Sequence, residues 1–365
     1  MKNNRTFLEK LLDGAEVEWK KLCEVSEIEK GKQLNKALLT ETGEYPVING
    51  GINPSGYWHE YNNEANTIVI SQGGASAGYV NWMTTAFFAG AHAYVVKTNE
   101  TLVQKRYAYH FLKMNQVRFM QNQYGAGIPA LAKSDLENLL IPIPPLSVQT
   151  EIVKILDALT ALTSELTSEL TLRRKQYEYY REKLLSFDSL EQLNIGGAKK
   201  KLIDVAKIKN GKDWKHLGEG DIPIYGSGGI MGYVDTYSYD KPTVLIPRKG
   251  SITNIFYLEE PFWNVDTIYY TEINTTQILP KYFFHFMKTV DLAKLDTGSG
   301  RPSLTQAILN EIPIFVPSIE EQHRIVSILD KFEALTNSIT EGLPLAIEQS
   351  QKRYEYYRES LLNFE

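Results

Sequence analysis

The chain contains itself twice. Lys175-Gln-Tyr-Glu-Tyr-Tyr-Arg-Glu-Lys-Leu-Leu-Ser-Phe187 and Lys352-Arg-Tyr-Glu-Tyr-Tyr-Arg-Glu-Ser-Leu-Leu-Asn-Phe364 agree at ten of thirteen positions. Upstream, residues 149–157 match residues 322–330, and Gly125-Ala-Gly-Ile-Pro-Ala-Leu131 matches Gly298-Ser-Gly-Arg-Pro-Ser-Leu304. Gly31-Lys32 pairs with Gly211-Lys212, and residues 67–70 pair with 243–246. The offset is 173 residues from Gln149 to Gln322 and 177 from Lys175 to Lys352. That is far beyond the roughly 20–50 residues of a solenoid repeat. The 365 residues must therefore build one domain-sized unit two times over.

Each half follows one plan. Short β-type runs between Gly, Pro and Asn turns come first, then a short helical stretch with a central histidine, His110 or His285. A Gly-x-Gly-x-Pro loop, a proline-rich apolar run (139–146, 312–319) and a long helix follow. Apolar residues step by three and four along both helices: Ile152, Ile155, Leu159, Leu162, Leu166, Leu170, Tyr177, Tyr180 and Leu184, and then Ile325, Ile328, Phe332, Leu335, Ile339, Leu343, Ala346, Tyr354, Tyr357 and Leu361. This is a coiled-coil seam, and two matched seams in one chain supply each other's partner. Ser318 with Glu321 reads as a capping box. The second helix is four residues longer between its anchors and carries Gly342 and Pro344, which should bend or loosen it. The expected fold is α+β: tandem duplicated α/β domains, each followed by a long helix, the two helices pairing as a coiled coil. The boundaries read as 1–146, 147–188, 189–317 and 318–365.

Composition excludes several classes. Hydrophobic residues at 43% and charged residues at 23% suit a globular chain, and no window reaches the ~18 apolar residues of a membrane span. One cysteine, Cys23, rules out a disulfide framework. The start of the chain lacks an apolar leader, so a cytoplasmic location without membrane attachment is expected. The net charge of −5 hides local bases: five and no acid over residues 101–134, and seven lysines against two acids over 199–215. Phosphate contact answers to the local field rather than to the sum.

Catalytic signatures are incomplete. Gly74-Ala75-Ser76-Ala77-Gly78 spells a hydrolase elbow, but Tyr79-Val80-Asn81-Trp82 reads as strand where a helix is needed. Gly226-Ser-Gly228-Gly229-Ile-Met-Gly232 breaks the dinucleotide pattern at Met231, there is no Walker A sequence, and the six histidines show no ligand spacing. No Asn-Pro-Pro-Tyr or Asp-Pro-Pro-Tyr sequence marks an amino-methyltransferase. No metal and no catalytic residue is expected. Residues 113–124 mix bases with amides, which can pair with guanine and adenine edges. Arg248-Lys249 follows a strand-like run where the first half has Ser71-Gln72. The candidate DNA contacts are Lys32, Gln72, Ser76, Arg118, Gln121, Lys212, Lys215, Arg248, Lys249 and Arg301, with the glycines of the two Gly-x-Gly-x-Pro loops as possible phosphate cradles. Tyr177, Tyr180, Tyr354 and Tyr357 are the candidate partner-binding residues, because tyrosine suits interfaces.

The order of parts resembles the specificity subunits of type I restriction–modification systems, over nearly the whole chain. The resemblance is carried by Gln149-x-x-Ile152-Val153-x-x-Leu156-Asp157, by Pro317-Ser-Ile-Glu-Glu-Gln322-His-Arg-Ile-Val326 and by the Tyr-Glu-Tyr-Tyr-Arg-Glu helix ends. The first copy, Pro144-Pro-Leu-Ser-Val-Gln149, lacks the glutamates. The resemblance implies two target recognition domains, each reading half of a bipartite double-stranded DNA site, with the helices pairing as an antiparallel coiled coil that sets the spacing. It also implies two methyltransferase subunits and restriction subunits as partners. S-adenosylmethionine and ATP with Mg would sit on those partners and no cofactor on this chain. The alternatives are a hydrolase centred on Ser76 and a non-DNA scaffold or carbohydrate-binding module on a coiled coil. The tandem tetrads Thr163-Ser-Glu-Leu166 and Thr167-Ser-Glu-Leu170 suggest a ruler. Four helical residues add about 6 Å and about 40°, against roughly 3.4 Å and 35° for one base pair.

Overall fold

In the computed structural model, residues 6–121, 129–192 and 196–364 are described. The chain divides into two compact units: Met1–Leu166 with Ile347–Glu365, and Thr167–Ala346. Among the described residues, each holds nine strands in the same order.

In the first unit, a four-stranded antiparallel sheet runs β2 (Ser26–Lys30), β8 (Ala93–Thr98), β5 (Thr67–Ser71), β6 (Val80–Met83). A three-stranded sheet has β3 (Tyr45–Ile48) between β4 (Tyr57–Trp58) and a parallel partner, β7 (Phe88–Ala89). β1 (Glu18–Lys21) pairs antiparallel with β9 (Leu140–Ile143). The second unit repeats this with β10 (Gly197–Lys201), β11 (Ala206–Lys209), β12 (Ile222–Gly226), β13 (Gly229–Val234), β14 (Thr243–Pro247), β15 (Phe256–Leu258), β16 (Trp263–Asn264), β17 (Ile268–Ile273) and β18 (Pro313–Pro317). Its sheets are β11-β17-β14-β15, β13-β12-β16 and β10-β18. Ile68-Val69-Ile70 and Val244-Leu245-Ile246 are buried on both faces, as continuous apolar runs in central strands demand.

The helices repeat as well. α1 (Phe7–Leu12), α2 (Leu22–Val25), α3 (Lys105–Met114), α4 (Gln116–Gln121) and α5 (Lys133–Glu137) precede α6 (Leu146–Leu185), one unbroken helix of 40 residues. α7 (Phe187–Gln192), α8 (Leu202–Val205), α9 (Pro280–Met287) and α10 (Gln306–Asn310) precede α11 (Ile319–Asn337) and α12 (Gly342–Leu362). Within the second unit, Arg174 of α6 reaches the carbonyl of Thr336, and Tyr180 stacks on Phe332 at 5.7 Å. Rising numbers on α6 meet falling numbers on α11, so the pairing is antiparallel. Within the first unit, Thr163 of α6 bonds Ser350 of α12 at 2.8 Å.

Three expectations change here. The second long helix is two helices, because Gly342 adopts φ +75° and its backbone packs against the carbonyls of Ala334 and Leu335. A side chain there would clash, and Pro344 sits in the opening turn of α12, where its missing N–H costs little. Ile339, expected on the seam, falls in the break and is 79% exposed. Only half of the capping box forms: Ser318 accepts from the Glu321 N–H, while the Glu321 carboxylate holds Arg324. The proline-rich runs contain strands, β9 and β18. Each lies in a two-stranded ladder, where the N–H that proline lacks is not demanded by a third strand.

Candidate nucleic-acid interface

Buried polar clamps lock the sheets of each unit to its long helix. Gln149, fully buried, accepts from the Gln104 N–H and donates to the carbonyls of Leu102 and Pro144. Gln322 does the same with the Leu279 N–H and the carbonyls of Gln277 and Pro317. The glutamine of each helix-start motif is therefore a three-bond structural clamp. Tyr107 and Tyr282 donate to the carbonyls of Pro142 and Phe315, tying α3 and α9 to β9 and β18.

The paired histidines complete the frame. His110 Nε2 lies 2.8 Å from Asp157, which also takes Arg106 at 2.7 Å. The carboxylate can only accept, so Nε2 carries the proton and Nδ1, 3.1 Å from the Tyr354 hydroxyl, accepts. Burial holds His110 below its ordinary pKa despite the carboxylate. Burial pushes Asp157 up, but the bonds from His110 and Arg106 outweigh it and the net shift is down. In the second unit His285 and Lys281 share Asp330, each at 2.8 Å, and burial again lowers the histidine. Glu333 joins this group, its ligand atom within 4.8 Å of those of His285 and Asp330. Thr160 stands at the matching place in α6.

Loops gather at one end of each frame, and glycine decides how close they come. Gly31 and Gly211 pass so near the backbone of Gly90 and Val265 that a Cβ would lie 2.2 Å and 2.0 Å from those carbonyl oxygens. The next residues, Lys32 and Lys212, bond through their N–H to Ala89 and Asn264 and leave their side chains exposed. The repeated Gly-Lys pair is thus a close-approach device that presents a lysine.

In the second unit the loops make one basic surface. Lys212 and Lys215 line a cleft with Asp213, Trp214, Met231, Asp266 and Thr267, and the excess of positive charge comes from Arg248, Lys249 and Arg301 around it. Arg248 donates to the Asp266 carbonyl, and the N–H groups of Arg248 and Lys249 reach the Thr267 carbonyl. Arg301 folds back beside Gly250, whose N–H bonds Pro302. Five sequence candidates, Lys212, Lys215, Arg248, Lys249 and Arg301, are therefore neighbours through loops far apart in the chain.

The matching surface in the first unit is less charged. The Gln72 N–H bonds His92 and its carbonyl takes Leu131, as Arg248 does with Thr267 and Leu304. Gln72 thus matches Arg248, and Gly73 matches Lys249; pairing Ser71-Gln72 with Arg248-Lys249 is one residue out of register. The Gln72 Oε1 is buried with no hydrogen-bond partner among the described residues. Ser76 lies in a tight turn between Gly74 (φ +84°) and Gly78 (φ +88°), and the chain continues into β6 rather than a helix. Gly78 packs against the Phe119 backbone of α4, which brings exposed Arg118 and Gln121 close to this turn. Lys113 and Gln116, by contrast, are spent internally: Lys113 bonds Val80 and Gln116 and lies over the Tyr79 ring, and burial pushes it down to about 8. The glycines Gly125 and Gly127 lie outside the described residues. His92 and Asn49, which accepts from the His92 N–H, belong to this surface and have no sequence signal.

The tyrosines separate into two kinds. Tyr177 is buried against Phe332 and Tyr354 is bound to His110, so both face into their own unit. Tyr180 and Tyr357 are 38% and 36% exposed, and Tyr179 and Tyr356 beside them are more so, at 57% and 66%. The surface pairs are therefore 179/180 and 356/357: Tyr180 and Tyr357 lie at the surface as expected, and Tyr179 and Tyr356 stand there in place of Tyr177 and Tyr354.

The family model described as type I restriction modification DNA specificity domain matches the chain twice, over residues 15–172 and 195–349. A Haemophilus influenzae protein named as a type I restriction enzyme specificity subunit is 44% identical, covering all of both chains. The Escherichia coli type I restriction enzyme EcoR124I/EcoR124II specificity subunit is 34% identical over 98% of this chain and 97% of its own. The crystal structure of a type I restriction–modification S subunit from M. genitalium superposes with a TM-score of 0.68 at 25% identity, covering 100% and 98% of the two chains.

Proposed function

The chain belongs to the type I restriction–modification DNA specificity family, and from that premise we propose that each unit reads one half of a bipartite DNA site through its loop surface. The carrying observation is the convergence of Lys212, Lys215, Arg248, Lys249 and Arg301 on one end of the second frame, with Lys32, Gln72, Ser76, Arg118 and Gln121 at the matching end of the first. Lysines exposed on loops suit phosphate oxygens, which position the protein without reading sequence. Arg248 and Gln72, at one and the same structural position, are the kind of difference that changes a base preference: a guanidinium suits guanine, and a glutamine whose Oε1 is buried does not make that contact. The hydrolase reading has no support, since Ser76 belongs to a strand-to-strand turn.

The chain supplies specificity and no chemistry of its own. Its partners are DNA and the other subunits of a restriction–modification complex. The finer assembly is part of the proposal: two methyltransferase subunits per chain, using the repeated tyrosine pairs 179/180 and 356/357, with S-adenosylmethionine on those subunits and ATP with Mg on restriction subunits. Native mass spectrometry of the co-expressed proteins should give two methyltransferases per chain; a 1:1 complex at saturation contradicts that stoichiometry.

The test of the interface is duplex binding by the chain with its methyltransferase. Arg248→Ala should cost about 1–3 kcal/mol and relax one position in one half-site. Lys212→Ala should weaken all sequences alike and lower the salt slope by about one. Unchanged affinity, salt slope and methylation pattern in both variants overturn the assignment.

A further inference from the structure

The second unit holds an apolar feature inside its basic surface that phosphate contact does not explain. The hairpin of β12 and β13 turns at residues 226–229, and Met231 of its outer strand lines the cleft of Lys212 and Lys215. Its outer strand β13 edges a three-stranded sheet, yet Ile230, Met231 and Tyr233 are 52%, 58% and 57% exposed. Single exposed apolar residues are ordinary on a protein surface, but three within four positions on a sheet edge form a patch.

The register shows how the patch is aimed. Ile224 pairs with Gly232 and Tyr225 with Ile230, so Met231 is the extra residue of a β-bulge. A bulge re-aims a side chain. Here the Met231 thioether lies over Gly226, where any side chain would collide with it, and it borders the cleft of Lys212 and Lys215. The turn is pinned: Asn254 donates to the Ser227 carbonyl and the Ser227 N–H reaches the Thr267 hydroxyl, tying it to the loops that carry Arg248 and Lys249. In the first unit the matching strands β3 and β4 share only two paired positions, and Ile52 is the exposed apolar residue of the intervening loop.

We propose that Met231, with Ile230, is a base-reading contact that packs on a thymine methyl group in the major groove. The groove admits a two-stranded ribbon, and the thymine C5-methyl is the apolar group on its floor. The cations around the hairpin match the phosphates that flank such a contact. The inference rests on the DNA-reading surface proposed above and adds to it the chemistry of one contacted group.

The experiment uses the full chain bound to its methyltransferase and duplexes carrying the mapped site. Thymines in the half-site read by the second unit are replaced one at a time with deoxyuridine, which removes only the methyl. One replacement should weaken wild-type binding about tenfold, and Met231→Ala should weaken the thymine duplex about as much. Met231→Ala on that deoxyuridine duplex should lose no more than either change alone, while Met231→Leu should stay near wild type. Tm values within a degree or two of wild type check that the exposed substitutions leave the fold intact. Additive losses, an unaffected Met231→Ala, or a half-site in which no thymine responds overturn the inference. If Arg248→Ala and Lys212→Ala still weaken binding in that case, the interface stands and only the methyl contact falls. If they too are silent, the interface reading itself has failed.

Discussion

The two units share their frame almost atom for atom and part company at their tips. Gln149 and Gln322 make the same three bonds, His110 and His285 hold the same aspartates, and Gly31 and Gly211 make the same close approach. At the tips, Gln72 occupies in the first unit the position that Arg248 has in the second, Gly73 that of Lys249, and a short strand pair that of a bulged hairpin. Gln149 and Gln322 are buried with their hydrogen bonds made, so a change there leaves polar groups without a partner, and the frames differ chiefly at the histidines, where His110 Nδ1 has the Tyr354 hydroxyl and the buried His285 Nδ1 has no partner among the described residues. Tip residues hang from backbone bonds that any side chain can make, which leaves them open to encode different bases on one scaffold.

The largest expected effect lies in the frame. Gln322→Ala strands one N–H and two carbonyls in the interior, at about 1–3 kcal/mol for each group left unpaired. Urea unfolding should show a loss of at least about 3 kcal/mol, and Gln149→Ala should match it within about 1 kcal/mol. A large difference between the two would break the equivalence of the frames.

A second prediction concerns the helix that the units share. Deleting residues 167–170 removes one tetrad and takes a leucine of the seam with it, so the heptad-like stepping survives. The non-specific spacer should shorten by one base pair, with both half-sites unchanged. Methylation mapping decides it, and an unaltered spacer in an active enzyme means that α6 does not set the distance.

The smallest effect is one of pH. Burial lowers the pKa of both His110 and His285. An unfolded histidine takes up its proton near pH 6.5, while the folded ones stay neutral there. The unfolded chain then binds more protons, so stability is full above about pH 6.5 and falls as pH drops below it. The net downward shift of Asp157 adds a further loss as pH falls through the ordinary aspartate range. Tm should decline between pH 7.5 and 5.5, and the double variant His110→Gln with His285→Gln should show a shallower decline over the same interval.

Much of the frame was legible because repetition turns single residues into matched pairs. The sequence alone marked Gln149 with Gln322 and Gly31 with Gly211, although not what they bond. The strands β9 and β18 were hidden by their prolines, which a third strand would not have tolerated but a two-stranded ladder does. Gly342 and Pro344 were visible, but a full break depends on where Gly342 packs, and that is a tertiary fact. The tips were least legible. Lys212, Arg248 and Arg301 come together only through loops spaced across ninety residues. The one-residue slip at Gln72 arose because loop sequences share no pattern to anchor a register.

Under the proposed function, each unit reads its own half-site independently. The most direct test of this is to replace residues 17–134 with the same region of a relative and map every methylated position in a host carrying the hybrid with its methyltransferase. The account predicts a site in which one half is new while the other half and the spacer are unchanged. A hybrid that methylates a site altered in both halves would contradict it.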